Sequence, residues 1–237
     1  MKPTERIIFP LDVSSKEEAL KFTTLLKDSV GVFKIGLELF VKEGPSVVEA
    51  VRKAAPNAKI FLDMKFHDIP ETVRRAMRSA ASLGVDFITV HTDEGGELLK
   101  AAVEEAGTVK VLGVTVLTSQ SAESLKSIGF IDELTDPSKL VLHRARLAKN
   151  SGCAGIVCSG LEVKNVKDSL GDELLAITPG IRLKDLDVKS DDQKRIVSPF
   201  EAVRDGADYI VVGRPIRNAA DPKVAAKIVA EDIEKAL

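Results

Sequence analysis

The sequence predicts an α/β chain folded as a single-domain (β/α)8 barrel. Short apolar, β-branched runs alternate with longer segments of helical periodicity from end to end, which is the order that builds a parallel sheet. Eight such units fit into the 237 residues, close to the ~250 that a barrel of this kind uses. No Gly/Ser linker, low-complexity tract or composition break interrupts them, so residues 1–237 read as one domain. An open doubly wound sheet is the competing arrangement, because strand order does not by itself establish closure.

Each element follows from its residues. In RIIFPLDV (6–13), Ile7, Phe9 and Leu11 share one face of a strand and Asp12 takes the other. Ser14 or Ser15 caps the helical pattern SSKEEALKFTTLL. The second strand, VFKIGLEL (32–39), turns Phe33, Ile35 and Leu37 outward and Lys34 inward, and GPSVVEAVRKAA follows as a helix. In the third, KIFLDMKF (59–66), Ile60, Leu62, Met64 and Phe66 face the helices, leaving Phe61, Asp63 and Lys65 inside. Pro70 opens the helix PETVRRAMRSAASLG and Gly84 closes it. DFITVHT is the fourth strand and VKVLGVTVL the fifth. The helix PSKLVLHRARLAKNSG leads to AGIVCS, LLAITPG and DYIVVG, strands six to eight. The polar stretch 182–199, RLKDLDVKSDDQKRIVSP, has neither period and reads as a long mobile loop of functional length.

Composition excludes several function classes. Lys and Arg number 34 against 36 Asp and Glu, a net charge of −2, with the basic residues dispersed, so neither nucleic acid nor a membrane surface is the expected partner. Cys153 and Cys158 form no redox or zinc motif and read as small buried side chains in a reducing compartment. MKPTERIIFP lacks the apolar stretch of a signal peptide, and no run approaches the ~20 apolar residues of a membrane span. The expectation is a soluble, cytoplasmic protein. His67, His91 and His143 are too scattered to assemble a metal cluster. His67 is expected to face away from the inward charges, His91 to make a structural hydrogen bond, and His143 to lie on a helix surface.

The charged residues of the first three strands fall at their C-terminal ends, where barrel enzymes keep their chemistry. With neighbouring strands ~5 Å apart, Asp12, Lys34, Asp63 and Lys65 can converge in one small site. Asp68 follows in the loop before Pro70. A buried ion-pair network that merely completes the barrel is the bland reading; such pairs are often no more stabilising than apolar packing. TPGIR (178–182) and VVGRPI (211–216) end strands seven and eight, whose loops commonly bind phosphate in barrels. Gly213 would let the backbone approach an anion, and Arg214 offers a bidentate donor.

These residues together resemble the orotidine 5′-monophosphate decarboxylases of bacterial type. LDMKFHDIPETV is similar to that family's Asp-x-Lys-x-x-Asp stretch, and the likeness continues through LDV, FKIGLELF, VTVLTS, TPGIR, DQKRIVSP and YIVVGRPI, over nearly the whole chain. Two departures stand out: Glu71 in place of asparagine, and HTDEGG (91–96), bulkier than the family's small-residue run. The resemblance implies a homodimeric barrel converting OMP to UMP with no metal or organic cofactor. It implies a catalytic array of Lys34, Asp63 and Lys65, completed by Asp68 from the other subunit, with Ile69 and Thr72 beside it as binding positions. Asp12 and Lys34 would hold ribose hydroxyls and Thr118 would contact the pyrimidine. Arg182, Gln193, Gly213 and Arg214 would bind the nucleotide, Gln193 and Arg214 at its phosphate.

Three other functions compete. Sugar-phosphate decarboxylases and synthases of the same superfamily share the Asp-x-Lys-x-x-Asp stretch, but they use a magnesium-bound enediolate and carry a carboxylate where Lys34 stands. A lysine there would repel the metal. A Schiff-base aldolase would need a neutral lysine, which the flanking carboxylates oppose. A non-catalytic phosphate-ligand sensor would have no need to bury Asp63, Lys65 and Asp68 together.

Overall fold

The computed structural model describes residues 1–183 and 195–237. Its eight strands are β1 (Ile7–Pro10), β2 (Val32–Gly36), β3 (Lys59–Phe66), β4 (Phe87–His91), β5 (Lys110–Val114), β6 (Gly155–Val157), β7 (Leu175–Thr178) and β8 (Tyr209–Val211). They form a closed barrel in sequence order, with β8 pairing back onto β1 through Ile7↔Ile210 and Ile8↔Val211. Around it lie α1 (Lys16–Leu26), α2 (Leu37–Glu43), α3 (Ser46–Ala54), α4 (Pro70–Ala81), α5 (Gly96–Glu105), α6 (Ala122–Ser127), α7 (Pro137–Asn150), α8 (Gly160–Leu170), α9 (Pro199–Arg204), α10 (Arg214–Arg217) and α11 (Pro222–Glu234). Closure decides between the two sheet arrangements in favour of the barrel.

Period-two alternation separates two apolar layers. Ile8, Val32, Phe61, Phe87, Leu112, Ile177 and Tyr209 fill the barrel interior. The opposite faces, including Ile7, Phe9, Phe33, Ile35, Ile60 and Leu62, pack outward against the helices. At the base, the Lys59 ammonium lies 5.8 Å from the Phe87 ring centre and 3.1 Å from the Tyr209 hydroxyl, which closes that end. Side chains are thus stacked in the lower barrel, and the upper end opens into a cavity lined by charged and apolar residues together. At Gly155 on β6 a Cβ would stand 2.6 Å from the Leu175 carbonyl oxygen, so the β6–β7 approach admits no side chain there.

Local signals match the caps. The Ser15 hydroxyl accepts the Glu18 N–H at 3.2 Å, Pro70 occupies the first turn of α4, and Gly84 takes the left-handed φ of 68° beyond its end. One expectation fails. Leu37 is not an outward strand residue: the chain turns at Gly36, Leu37 opens α2, and it is 49 % exposed. The alternation ends with the strand.

β3 contains a second departure from regular alternation. Its register to β4 runs from Leu62↔Ile88 to Phe66↔Val90, four residues on one strand against two on the other. Lys65 sits in this bulge with φ 49°, the sole non-glycine with positive φ among the described residues. The ends of the expected 182–199 loop are tied together, with the Arg182 N–H donating to Val197 O at 3.0 Å and the Val197 N–H to Gly180 O at 3.2 Å. Residues 184–194, with Gln193 among them, lie outside the described residues.

Candidate active site

The C-terminal ends of the strands surround a cavity of about 680 Å³. Asp12, Lys34, Asp63, Lys65, Thr118, Arg182, Gly213 and Arg214 all line it. Asp63 stands at its centre, only 8 % exposed. Its Oδ2 is 2.8 Å from Lys65 Nζ and 3.3 Å from Lys34 Nζ, and Lys34 reaches on to Asp12 Oδ1 at 3.3 Å. Charges therefore alternate along Asp12–Lys34–Asp63–Lys65.

Burial alone would raise the Asp63 carboxyl, but the Lys34 and Lys65 ammoniums beside it hold it below the usual carboxylate range. Burial likewise opposes a charged Lys34, and Asp63 and Asp12 outweigh it, keeping its ammonium above the ordinary lysine value. The Asp12–Lys34–Asp63–Lys65 array in this state is a fixed row of alternating charge at the cavity floor that ends on the Lys65 ammonium. It suits a reaction in which negative charge develops on bound substrate.

The opposite wall is built by the ends of β7 and β8. Arg182 donates from Nη1 to Ile181 O at 2.7 Å, and Arg214 begins α10. Gly213 has a packing reason beyond anion approach: a Cβ there would stand 2.9 Å from Pro10 Cγ on β1. Thr118 enters from the chain beyond β5.

Other expected site residues are elsewhere in the single chain. Asp68, Ile69 and Thr72 are exposed and do not line the cavity; Asp68 Oδ1 instead accepts the neighbouring Ile69 N–H at 2.7 Å. They follow the bulge, which carries the chain out of the mouth.

The histidines divide. His143 is exposed on α7, and the exposed His67 places Nε2 2.9 Å from Glu94 Oε1. The expected hydrogen bond of His91 is not made: its buried Nδ1 lacks a partner, with Asp93 Oδ2 at 3.7 Å. Burial pushes the His91 imidazole below its usual value, against the pull of Asp93. The bulk of HTDEGG is explained by pairing, since Asp93 also meets Arg144 at 2.7 Å and Glu94 meets His67. Cys153 and Cys158 are buried, with burial pushing both thiols up to about 12, so neither is a nucleophile at neutral pH. Among the described residues no three His, Cys, Asp or Glu side chains gather as a metal cluster, and no helix is long and apolar enough to cross a membrane.

A profile described as "Orotidine 5′-phosphate decarboxylase / HUMPS family" matches residues 5–229. The chain belongs to this family. Its relatives include the orotidine 5′-phosphate decarboxylase of Desulfosudis oleivorans, 49 % identical, with 99 % of this chain and 95 % of that one covered. The enzyme of the same name from Carboxydothermus hydrogenoformans is 43 % identical, over 99 % of this chain and 98 % of its own. The crystal structure of orotidine 5′-phosphate decarboxylase from Lactobacillus acidophilus superposes with a TM-score of 0.82 at 36 % identity, covering 96 % of this chain and 98 % of that one.

Two further residues meet the charged array without having been singled out by sequence reasoning. Arg217 lines the cavity and donates from Nη1 to Asp12 O at 2.6 Å; its spacing of three from Arg214 on one helical turn was the available signal. Thr89 donates to Asp63 Oδ1 at 2.9 Å, and its signal was the inward period shared with Phe87.

Proposed function

We propose that the chain decarboxylates orotidine 5′-monophosphate to UMP in the cytoplasm, as a homodimer with shared active sites and without metal or organic cofactor. The observation that carries this reading is the Lys34–Asp63–Lys65 group at the mouth of a barrel that belongs to this family. Asp12 and Lys34 would hold the ribose hydroxyls and Thr118 the pyrimidine. Arg182, Gln193, Gly213 and Arg214 would bind the nucleotide, with Gln193 and Arg214 on its phosphate. Asp68, Ile69 and Thr72 would serve the site of a second copy.

In the proposed reaction the bond from C6 to the carboxylate breaks, carbon dioxide leaves, and the electron pair stays on C6. That pair lies in the plane of the ring, orthogonal to its π system, so no ring carbonyl can delocalise it. The Lys65 ammonium is the available counter-charge; it then gives its proton to C6 and regains one from water. Asp63 holds the Lys65 ammonium aimed through their 2.8 Å contact, and sits against the departing carboxylate.

Magnitudes rank these effects. Two unit charges about 4 Å apart interact by roughly 4 kcal/mol at an effective dielectric near 20. Enzymic accelerations require roughly 8–23 kcal/mol. Repulsion by Asp63 is therefore the minor part; preorganised charge at Lys65 and binding energy from the phosphate are the major ones. The metal-free character rests on Lys34, a cation where the magnesium-dependent branch of the superfamily has a carboxylate. The test is the loss of OMP absorbance after exhaustive chelation, which we expect to proceed undiminished. Activity abolished by EDTA and restored by magnesium would transfer the chain to the sugar-phosphate branch.

A further inference from the structure

The hydroxyl of Thr89 joins two ends of the same lysine. Thr89 is completely buried on β4. Its Oγ1 accepts the Lys65 backbone N–H at 2.9 Å and lies 2.9 Å from Asp63 Oδ1. The other oxygen of that carboxylate, Oδ2, takes the Lys65 ammonium at 2.8 Å. A backbone N–H can only donate and an ionised carboxylate can only accept, so the hydroxyl proton has one place to go, toward Asp63. The result is a closed ring of hydrogen bonds: Lys65 backbone, Thr89, Asp63, Lys65 side chain.

The ring forms where β3 leaves regular pairing. Between Leu62 and Phe66 the ladder to β4 is interrupted, and Lys65 takes the left-handed φ of 49°. That conformation is unfavourable for a side-chain-bearing residue and persists only where its surroundings impose it. The interrupted ladder also leaves the Lys65 N–H in need of an acceptor, and the Thr89 hydroxyl supplies it. Threonine suits the task because branching at Cβ restricts χ1 and holds Oγ1 in place. A valine would fill the same space and satisfy the packing alone.

We infer that Thr89 is a positioning residue: through one hydroxyl it sets both the backbone of Lys65 and the orientation of Asp63, and so aims the proton-donating ammonium. The inference rests on the proposed decarboxylase reading and adds to it a residue outside the charged array.

Three proteins test it: wild type, Thr89→Val and Thr89→Ser. Each is assayed for kcat and KM on OMP, and for UMP binding by calorimetry as a measure of a folded site. A misplacement of about 1 Å at a reacting group can cost on the order of 100-fold in rate. We therefore expect Thr89→Val to lose kcat by about that factor while KM and UMP affinity stay near wild type. Thr89→Ser, which keeps the hydroxyl, should recover most of kcat. If the valine variant fails to bind UMP, Thr89→Ala takes its place in the comparison with serine. Wild-type kcat in the variant without the hydroxyl, or a serine variant as slow as that variant, would overturn the inference while the decarboxylase reading stands. A wild type inactive on OMP would remove that reading, and this inference with it.

Discussion

Asp63 is the residue on which the site turns, because it is buried between two cations that would otherwise repel each other. Its carboxyl lies below its ordinary value of 3.8 and Lys34 lies above its ordinary 10.5, each against the effect of burial. The signs fix the pH dependence. A depressed carboxyl contributes stability above its unfolded pKa, lost as pH falls through the folded one; a raised ammonium contributes fully below its unfolded pKa, lost as pH rises past the folded one. Removing one partner of a buried pair typically costs about 3–5 kcal/mol, because it strands the remaining charge. We expect Asp63→Asn to unfold at lower temperature than wild type. The gap should be constant from about pH 5 to 9, narrowing below roughly pH 4 as Asp63 protonates and again above roughly pH 10 as Lys34 loses its proton. Paired thermal melts across pH would check this, and a gap that closes near neutrality would contradict the assigned charges.

At the scale of elements, β7, β8 and the turn into α10 form the wall expected to hold phosphate. Arg214→Ala should raise KM and also lower kcat, with kcat/KM falling about 10- to 100-fold, since one hydrogen bond to a charged group contributes roughly 1.5–3 kcal/mol. Steady-state kinetics on OMP give the split. A phosphate-free nucleoside reacting as well as OMP in the wild type would contradict the use of phosphate binding energy. Strand-level patterns were the readable part of the sequence. Ile7, Phe9, Phe33 and Ile60 pack on the outer face because alternation in a strand is local and strictly two-fold. The bulge was not readable. The left-handed Lys65 depends on how β3 registers against β4, and Leu37 depends on the turn at Gly36; both are set across the fold rather than within a run of residues. Thr89 escaped for the same reason: its partner Asp63 is 26 positions away.

At the scale of the whole molecule, one chain does not bring all the expected residues together. Lys34, Asp63 and Lys65 meet in the cavity, whereas Asp68, Ile69 and Thr72 stand outside it, with Ile69 67 % exposed. An apolar side chain so exposed beside the exposed Asp68 fits burial against a second copy. The family motif made Asp68 conspicuous, but no sequence pattern says in which copy of the cavity a residue works. The central claim is that a working site takes Lys65 from one chain and Asp68 from another. Its most direct test uses Lys65→Ala and Asp68→Ala, each expected to be nearly inactive on OMP although UMP still binds to Lys65→Ala. Both are unfolded, mixed equally and refolded. Random pairing makes about half of the dimers mixed, and in each of these one site has lost both residues while the other is intact, so about a quarter of wild-type activity should return. If Asp68 served its own chain, every site would stay singly broken. No recovery despite demonstrated mixed dimers would contradict the shared site.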